Sequence, residues 1–168
     1  MFAPLGTKKP SEMIRAKEFH YCEKFLTNSK YNRGEDYGLL TFKDPIERDN
    51  YFKILPPKWS QLIEYIEIEM CGYPSSKMKD QNDYSLHRTF GKCQIIDNKK
   101  GHITYEIKTS HGMSGCPAFI ENSQDDSCYV VGMHASLLTN RTDATGGVFF
   151  NEEILKNLYS WGMKPQEE

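Results

Sequence analysis

Apolar residues along the chain fall in short runs separated by polar, Gly- and Asn-containing stretches, the pattern of β-strands joined by turns. Tyr37–Phe42 is a compact apolar run after Asn32-Arg33-Gly34-Glu35-Asp36. Ile66–Met70 alternates apolar and charged positions, the period of a half-buried strand, and Gly72-Tyr73-Pro74 ends it. Thr89–Ile96 and His102–Ile107 predict two strands divided by a turn at Asp97–Gly101. Pro117–Ile120 and Tyr129–His134 are expected to pair across the polar loop Glu121–Ser127, and Gly146–Phe150 reads as the last strand. One helix follows. Asn151 caps it, Glu152 and Glu153 suit the positive end of its dipole, and Ile154, Leu158 and Trp161 share one face before Gly162 stops it. Gln166–Glu168 reads as a frayed tail. Pro45, Pro56 and Pro57 mark residues 43–60 as a connector between two β units. The sum is a mostly β chain of the barrel or sandwich class with a C-terminal helix.

Composition narrows the function classes. Of 168 residues, 38% are hydrophobic and 12% aromatic, and ten Tyr, nine Phe and two Trp supply enough buried area for a real core. The net charge of -2, with Lys and Arg scattered, gives no field for nucleic acid or an anionic membrane. No apolar run approaches the length of a membrane span, and Met1–Pro10 lacks the apolar stretch of a signal peptide. The expectation is a cytoplasmic protein, or a secreted one if a segment precedes Met1. The five cysteines, Cys22, Cys71, Cys93, Cys116 and Cys128, show no C-x-x-C spacing and are expected to be mostly buried free thiols. His102, His111 and His134 lack paired ligand spacing, so neither a metal nor a cofactor is expected. Asn140-Arg141-Thr142 is a glycosylation acceptor pattern, relevant only to a secreted chain.

Candidate chemistry centres on Ser114 in His111-Gly112-Met113-Ser114-Gly115-Cys116-Pro117. A serine nucleophile needs backbone amides aimed at the developing oxyanion, hence an unusual turn. Gly112 can adopt it, and Gly115 leaves room behind the serine. The bland alternative is a Gly-rich turn with a passive serine. The α/β-hydrolase alternative fails because the position two after Ser114 is Cys116, not Gly, and Asp125, Asp126 and His134 follow too soon. Cys116 is disfavoured as a nucleophile because Pro117 follows it and no helix N-terminus lowers its pKa.

The wider order of motifs adds a resemblance. Asp36-Tyr37-Gly38-Leu39-Leu40 and Gly72–Lys77 lie upstream, Tyr105–Ser110 leads into the serine turn, and Val130–His134 and Gly147–Asn151 follow it. From about residue 30 to 161 this set resembles the glutamyl-endopeptidase, V8-like branch of the trypsin-like serine peptidases. The resemblance implies a two-barrel chymotrypsin-like fold, with a partial first barrel and connector over 1–60 and a complete second barrel with its C-terminal helix over 61–168. It implies Ser114 as nucleophile, Asp36 as triad acid and the amides of Gly112 and Ser114 as the oxyanion hole. It also implies Thr109 and His134 in a pocket for an acidic P1 side chain, and a protein or peptide as the substrate. Two positions depart from the family pattern: Ala135-Ser136-Leu137 stands where glycines are usual, and His111 replaces a small residue. Met113 stands where trypsin has an aspartate, so activation by a new N-terminal amine paired with that acid is excluded. The simpler structural alternatives are a turn-capping carboxylate for Asp36 and a satisfied core histidine for His134.

The catalytic histidine is missing. In the order His, Asp, Ser it belongs before Asp36, where the only histidine is His20, in a context that reads as a strand. Because Asp36 and Ser114 keep their motifs, the base is expected in a segment upstream of Met1. The alternative is an inactive homologue acting as a protein-binding module. The chain gives no sign of oligomerisation.

Overall fold

The structure is a computed structural model that describes residues 14–27, 33–46, 51–56, 58, 67–75, 77, 83, 85–122, 127–137 and 145–165. Six strands close into an antiparallel barrel: β4 (Glu67–Gly72), β5 (His87–Asp97), β6 (His102–Tyr105), β7 (Pro117–Asn122), β8 (Ser127–Leu137) and β9 (Thr145–Phe149). Their order is β8-β7-β4-β5-β6-β9, and pairing of β9 with β8 closes the ring, leaving no open edge. The barrel interior holds Ile68, Met70, Cys93, Ile103, Tyr105, Ile107, Ala118, Val131 and Phe149. The alternation seen in β4 produces this directly, since Ile68, Met70 and Gly72 are buried while Glu67 is exposed. On the outer face Arg88 of β5 reaches Glu69 of β4 and Glu121 of β7.

The helix α2 (Glu152–Ser160) packs outside the barrel. Asn151 Oδ1 accepts from the Ile154 amide at 2.9 Å, the expected N-cap. At the other end the amides of Gly162 and Met163 donate to the carbonyls of Tyr159 and Leu158, a Schellman closure with Met163 and Leu158 in one apolar cluster. Ile154, Leu155 and Leu158 are the buried residues of the helix. Trp161 lies at the C-cap and stays half-buried. Burial of each aliphatic side chain contributes about 1.5–3 kcal/mol before entropy is counted.

That apolar face also receives a second, two-stranded sheet. The strand β1 (Glu18–Tyr21) pairs antiparallel with β2 (Gly38–Thr41), and a short helix α1 (Glu23–Thr27) and a 3-10 turn (Arg33–Glu35) lie between them. Cys22, Tyr37 and Leu39 join Val148, Met133 and the α2 residues in one cluster. The Tyr37 hydroxyl accepts from Asn157 Nδ2 at 2.6 Å, and its ring lies 5.8 Å from Trp161. Asp36, the next residue back, is thereby fixed beside the barrel. The other face of this sheet carries Phe19, Tyr21 and Leu40, which are 63%, 44% and 53% exposed. Within the stretch read as a connector, β3 (Lys53–Ile54) pairs parallel with β8.

The strand expectations hold with shifted ends: β4 runs on to Gly72 and β6 stops at Tyr105. Ile66 lies outside the described residues, as do the Asn140–Thr142 tripeptide and the tail Gln166–Glu168. None of the five cysteines is disulfide-bonded: Cys22, Cys93 and Cys116 are buried, and Cys71 and Cys128 are half-buried.

Candidate active site

The segment Ser110–Cys116 joins the exit of β6 to β7 through two successive turns. The Met113 amide donates to the Ser110 carbonyl at 3.2 Å, and the Cys116 amide donates to the Met113 carbonyl at 3.0 Å. The third residue of each turn is a glycine with positive φ, Gly112 at +92° and Gly115 at +88°. A turn closed by an i to i+3 bond with positive φ at its third position has the signature of type II. Ser114 occupies the second position of the second turn, exposed at the rim of the barrel. Among the described residues the amides of Gly112 and Ser114 donate to no carbonyl.

Neighbouring backbone fixes the loop from three sides. The Ser75 amide donates to the His111 carbonyl at 2.8 Å. A Cβ on Gly112 would stand 2.7 Å from the Tyr73 carbonyl oxygen and 2.9 Å from the Ser75 nitrogen, so the chain after β4 lies directly behind the turn. Gly115 donates to the His134 carbonyl and His134 donates back to the Cys116 carbonyl, both at 2.8 Å, extending the β7–β8 ladder to the serine. Met113 is buried in the barrel core.

Opposite Ser114 the ladder between β8 and β9 slips at Ala135, between the pairs His134–Gly147 and Ser136–Gly146. Such a bulge re-aims the backbone. The Ser114 hydroxyl donates to the Ala135 carbonyl at 3.3 Å.

A cleft of about 580 Å³ is lined by residues of both sheets. Phe19, Tyr21, Cys22, Phe25, Leu26 and Tyr37 form one wall; Ser114, Gly115, Met133, His134 and Ala135 form the other; Asp36 lies on the same cleft. The structure therefore brings Asp36, Ser114 and His134 to one cavity. Thr109 is outside its lining, and its hydroxyl is buried with no hydrogen-bond partner among the described residues.

All five histidines are described. His20 points away from the cleft, because Phe19 and Tyr21 on either side of it in β1 line the cavity; its ring stacks on Trp161 at 5.9 Å. His87 Nε2 bonds Asp83 at 3.0 Å. His102 begins β6, and His111 is exposed in the first turn. Only His134 borders the cleft, and its Nδ1 is 2.7 Å from the Tyr105 hydroxyl. Burial holds the His134 imidazole below its ordinary pKa, opposed in smaller measure by the Gly146 carbonyl. Burial also pushes the Tyr105 phenol far up, with lesser contributions from the thiols Cys116 and Cys93. Among the described residues no three His, Cys, Asp or Glu side chains converge as metal ligands would.

Solved structures with the same architecture fix the fold. One is a Glu endopeptidase in complex with MPD, with a TM-score of 0.71 at 19% identity, covering 87% of this chain and 62% of that one. Another is the protease Anisep from Arthrobacter nicotinovorans, with a TM-score of 0.61 at 15% identity, covering 86% of this chain and 64% of that one. The fold is chymotrypsin-like. No protein-family profile and no curated protein matches the chain. The chain spans less than two thirds of the length of either structure. In this chymotrypsin-like fold the closed barrel carries Ser114, and the entry to β2 carries Asp36.

Three features of the cleft were not read from the sequence: the Tyr73–Ser75 backing of Gly112, the Ala135 bulge and the Tyr105 partner of His134. A tyrosine in a strand carries the signal of a core residue and nothing more.

Proposed function

We propose that the chain is part of a serine endopeptidase of the V8-like branch, cleaving peptide bonds through an acyl-enzyme on Ser114 and preferring an acidic P1 residue. The observation that carries this reading is the pair of glycine turns that expose Ser114 and leave the Gly112 and Ser114 amides with no carbonyl partner among the described residues, on a cleft shared with Asp36. Ser114 Oγ attacks the scissile carbonyl as its proton passes to an imidazole supplied from outside the described residues. Asp36 orients that imidazole and stabilises its charged form. The carbonyl oxygen, now anionic, accepts from the amides of Gly112 and Ser114. Collapse of the adduct expels the amine, which takes the proton, and leaves an ester on Ser114 that water hydrolyses. Residues 1–60 contribute part of the first barrel and 61–168 the second. Thr109 and His134 recognise the P1 carboxylate, a role that accords with a buried Thr109 hydroxyl that has no partner among the described residues. Without the base, about 10³–10⁴-fold acceleration over water is the most that hole and binding retain.

The test is a fluorophosphonate probe on the protein carrying whatever coding sequence precedes Met1. Labelling of Ser114, lost in Ser114→Ala, is expected. A folded, complete protein that takes no label supports the second reading, an inactive homologue that binds protein. The observation favouring that reading is that, of the five histidines, only His134 lines the cleft, and its Nδ1 is bonded to the Tyr105 hydroxyl. Cleavage after Lys or Phe in preference to Glu would remove the acidic-pocket assignment alone.

A further inference from the structure

The bond between Tyr105 Oη and His134 Nδ1, 2.7 Å long, lies inside the barrel, where Tyr105 has no exposed surface and His134 is 3% exposed. A phenol has one proton to donate, and a neutral imidazole has one donor and one acceptor nitrogen. Among the described residues no other acceptor meets the Tyr105 hydroxyl. If Nδ1 carried the ring proton and donated it to Oη, the phenolic proton would be stranded in the core, with its hydration lost and nothing gained. The phenol therefore donates, Nδ1 accepts, and the ring proton sits on Nε2.

We infer that Tyr105 is a positioning residue for substrate recognition: by donating to Nδ1 it fixes His134 as a neutral Nε2–H donor, and a P1 carboxylate is met by that N–H and the Thr109 hydroxyl, not by an imidazolium. The recognition half of this inference rests on the acidic-pocket reading; the proton assignment does not. The surroundings agree with a neutral ring. From β6 it faces the phenol, beyond which lie the thiols of Cys93 on β5 and Cys116 ahead of β7; from β9 the Gly146 carbonyl is an acceptor for the ring N–H, the partner that a P1 carboxylate would replace. Among the described residues no carboxylate and no cation acts on its proton, and burial, the largest influence, disfavours charge. Charging the ring would also place a proton on Nδ1 and strand the phenolic one. Carboxylate recognition should then be insensitive to pH across the range where an ordinary histidine titrates.

Long-range ¹H–¹⁵N spectra of the labelled chain at about pH 6 and about pH 8 decide the proton's place. The expected result is the Nε2–H tautomer at both, with an exchange-protected phenolic proton correlated to Nδ1. In Tyr105→Phe that proton disappears and the Nδ1 resonance moves towards an unbonded acceptor. An Nδ1–H tautomer or an imidazolium at about pH 6 overturns the inference on the unsubstituted chain alone, whether or not the variant folds. An Nδ1 resonance unmoved in folded Tyr105→Phe overturns it as well. An N-acetylated peptide ending in glutamate should shift the Nε2–H resonance equally at both pH values, and its glutamine counterpart should not. A glutamate peptide that binds only at the lower pH, with a proton gained on Nδ1, refutes the neutral-donor mechanism. One that shifts nothing refutes the recognition half and the acidic-pocket reading together, leaving the proton assignment to the first spectra.

Discussion

Replacing Gly112 and Gly115 one at a time by alanine separates the cost of backbone conformation from the cost of space. Both glycines have positive φ, +92° and +88°. An L-residue in that region costs about 1–2 kcal/mol. Alanine also restricts the unfolded chain, which returns about 0.4–1 kcal/mol. At Gly115 the new methyl would meet nothing within 4 Å, so the balance is conformational, about 1 kcal/mol of destabilisation. At Gly112 the methyl would stand 2.7 Å from the Tyr73 carbonyl oxygen and 2.9 Å from the Ser75 nitrogen. Both are main-chain atoms, so relief requires backbone movement, an overpacking cost of about 1–3 kcal/mol. The total for Gly112→Ala comes to about 3 kcal/mol. In urea unfolding with a slope near 2 kcal/mol per M, Gly115→Ala should lower the midpoint by about 0.5 M and Gly112→Ala by about 1.5 M. Equal shifts, or a larger one at Gly115, would show that the segment after β4 does not back the first turn.

Asn151→Ala should destabilise the fold by about 1–2 kcal/mol, since it removes the cap on the Ile154 amide and a 2.7 Å bond from Nδ2 to the Asn98 carbonyl. The thermal midpoint followed by far-UV circular dichroism should fall by about 3–6 °C, with Asn151→Ser recovering most of it; a serine variant as unstable as the alanine one would rule out capping as the cause. Burial pushes the Cys116 thiol up to about 11, and its sulfur packs against the backbone of Gly72. Iodoacetamide at about pH 8 should leave Cys116 unmodified until the chain is denatured, whereas rapid alkylation of the native protein, read by peptide mass, would contradict the packing.

Much of the barrel is legible in the sequence because each strand is short and bounded by its own turn signals. The Asp97–Gly101 turn fixes the β5–β6 hairpin, and the cap at Asn151 and the stop at Gly162 fix α2 almost to the residue. Pairings between distant strands are not written locally. Two residues of β3 lying parallel to β8 carry no periodic signal at all, and the slip at Ala135 depends on a ladder whose two strands are joined through residues 138–144. The candidate site divides in the same way. Ser114 is visible because its two glycines are, and Asp36 because it opens an apolar run. Their meeting on one cleft depends on the cluster in which barrel, α2 and β1–β2 residues pack together, which is a matter of tertiary contact.

The loop that carries Ser114 can be held either by an ionic contact that forms late or by packing that is present once the barrel closes. Met113 decides between them. An aspartate at that position would need a cationic partner before it could be buried, because an isolated carboxylate in the core is costly. Met113 needs none: it is 3% exposed among Ile68, Met70 and Cys116, and its Cγ lies close to Gly72. The turn on its N-terminal side rests on Tyr73 and Ser75, and the one on its C-terminal side is bonded to His134. Each contact belongs to the barrel itself. The proposed oxyanion hole is therefore shaped by folding of the barrel that carries Ser114. In the proposed mechanism this turn is accordingly the part of the site that takes its shape from barrel packing and needs no further group to hold it.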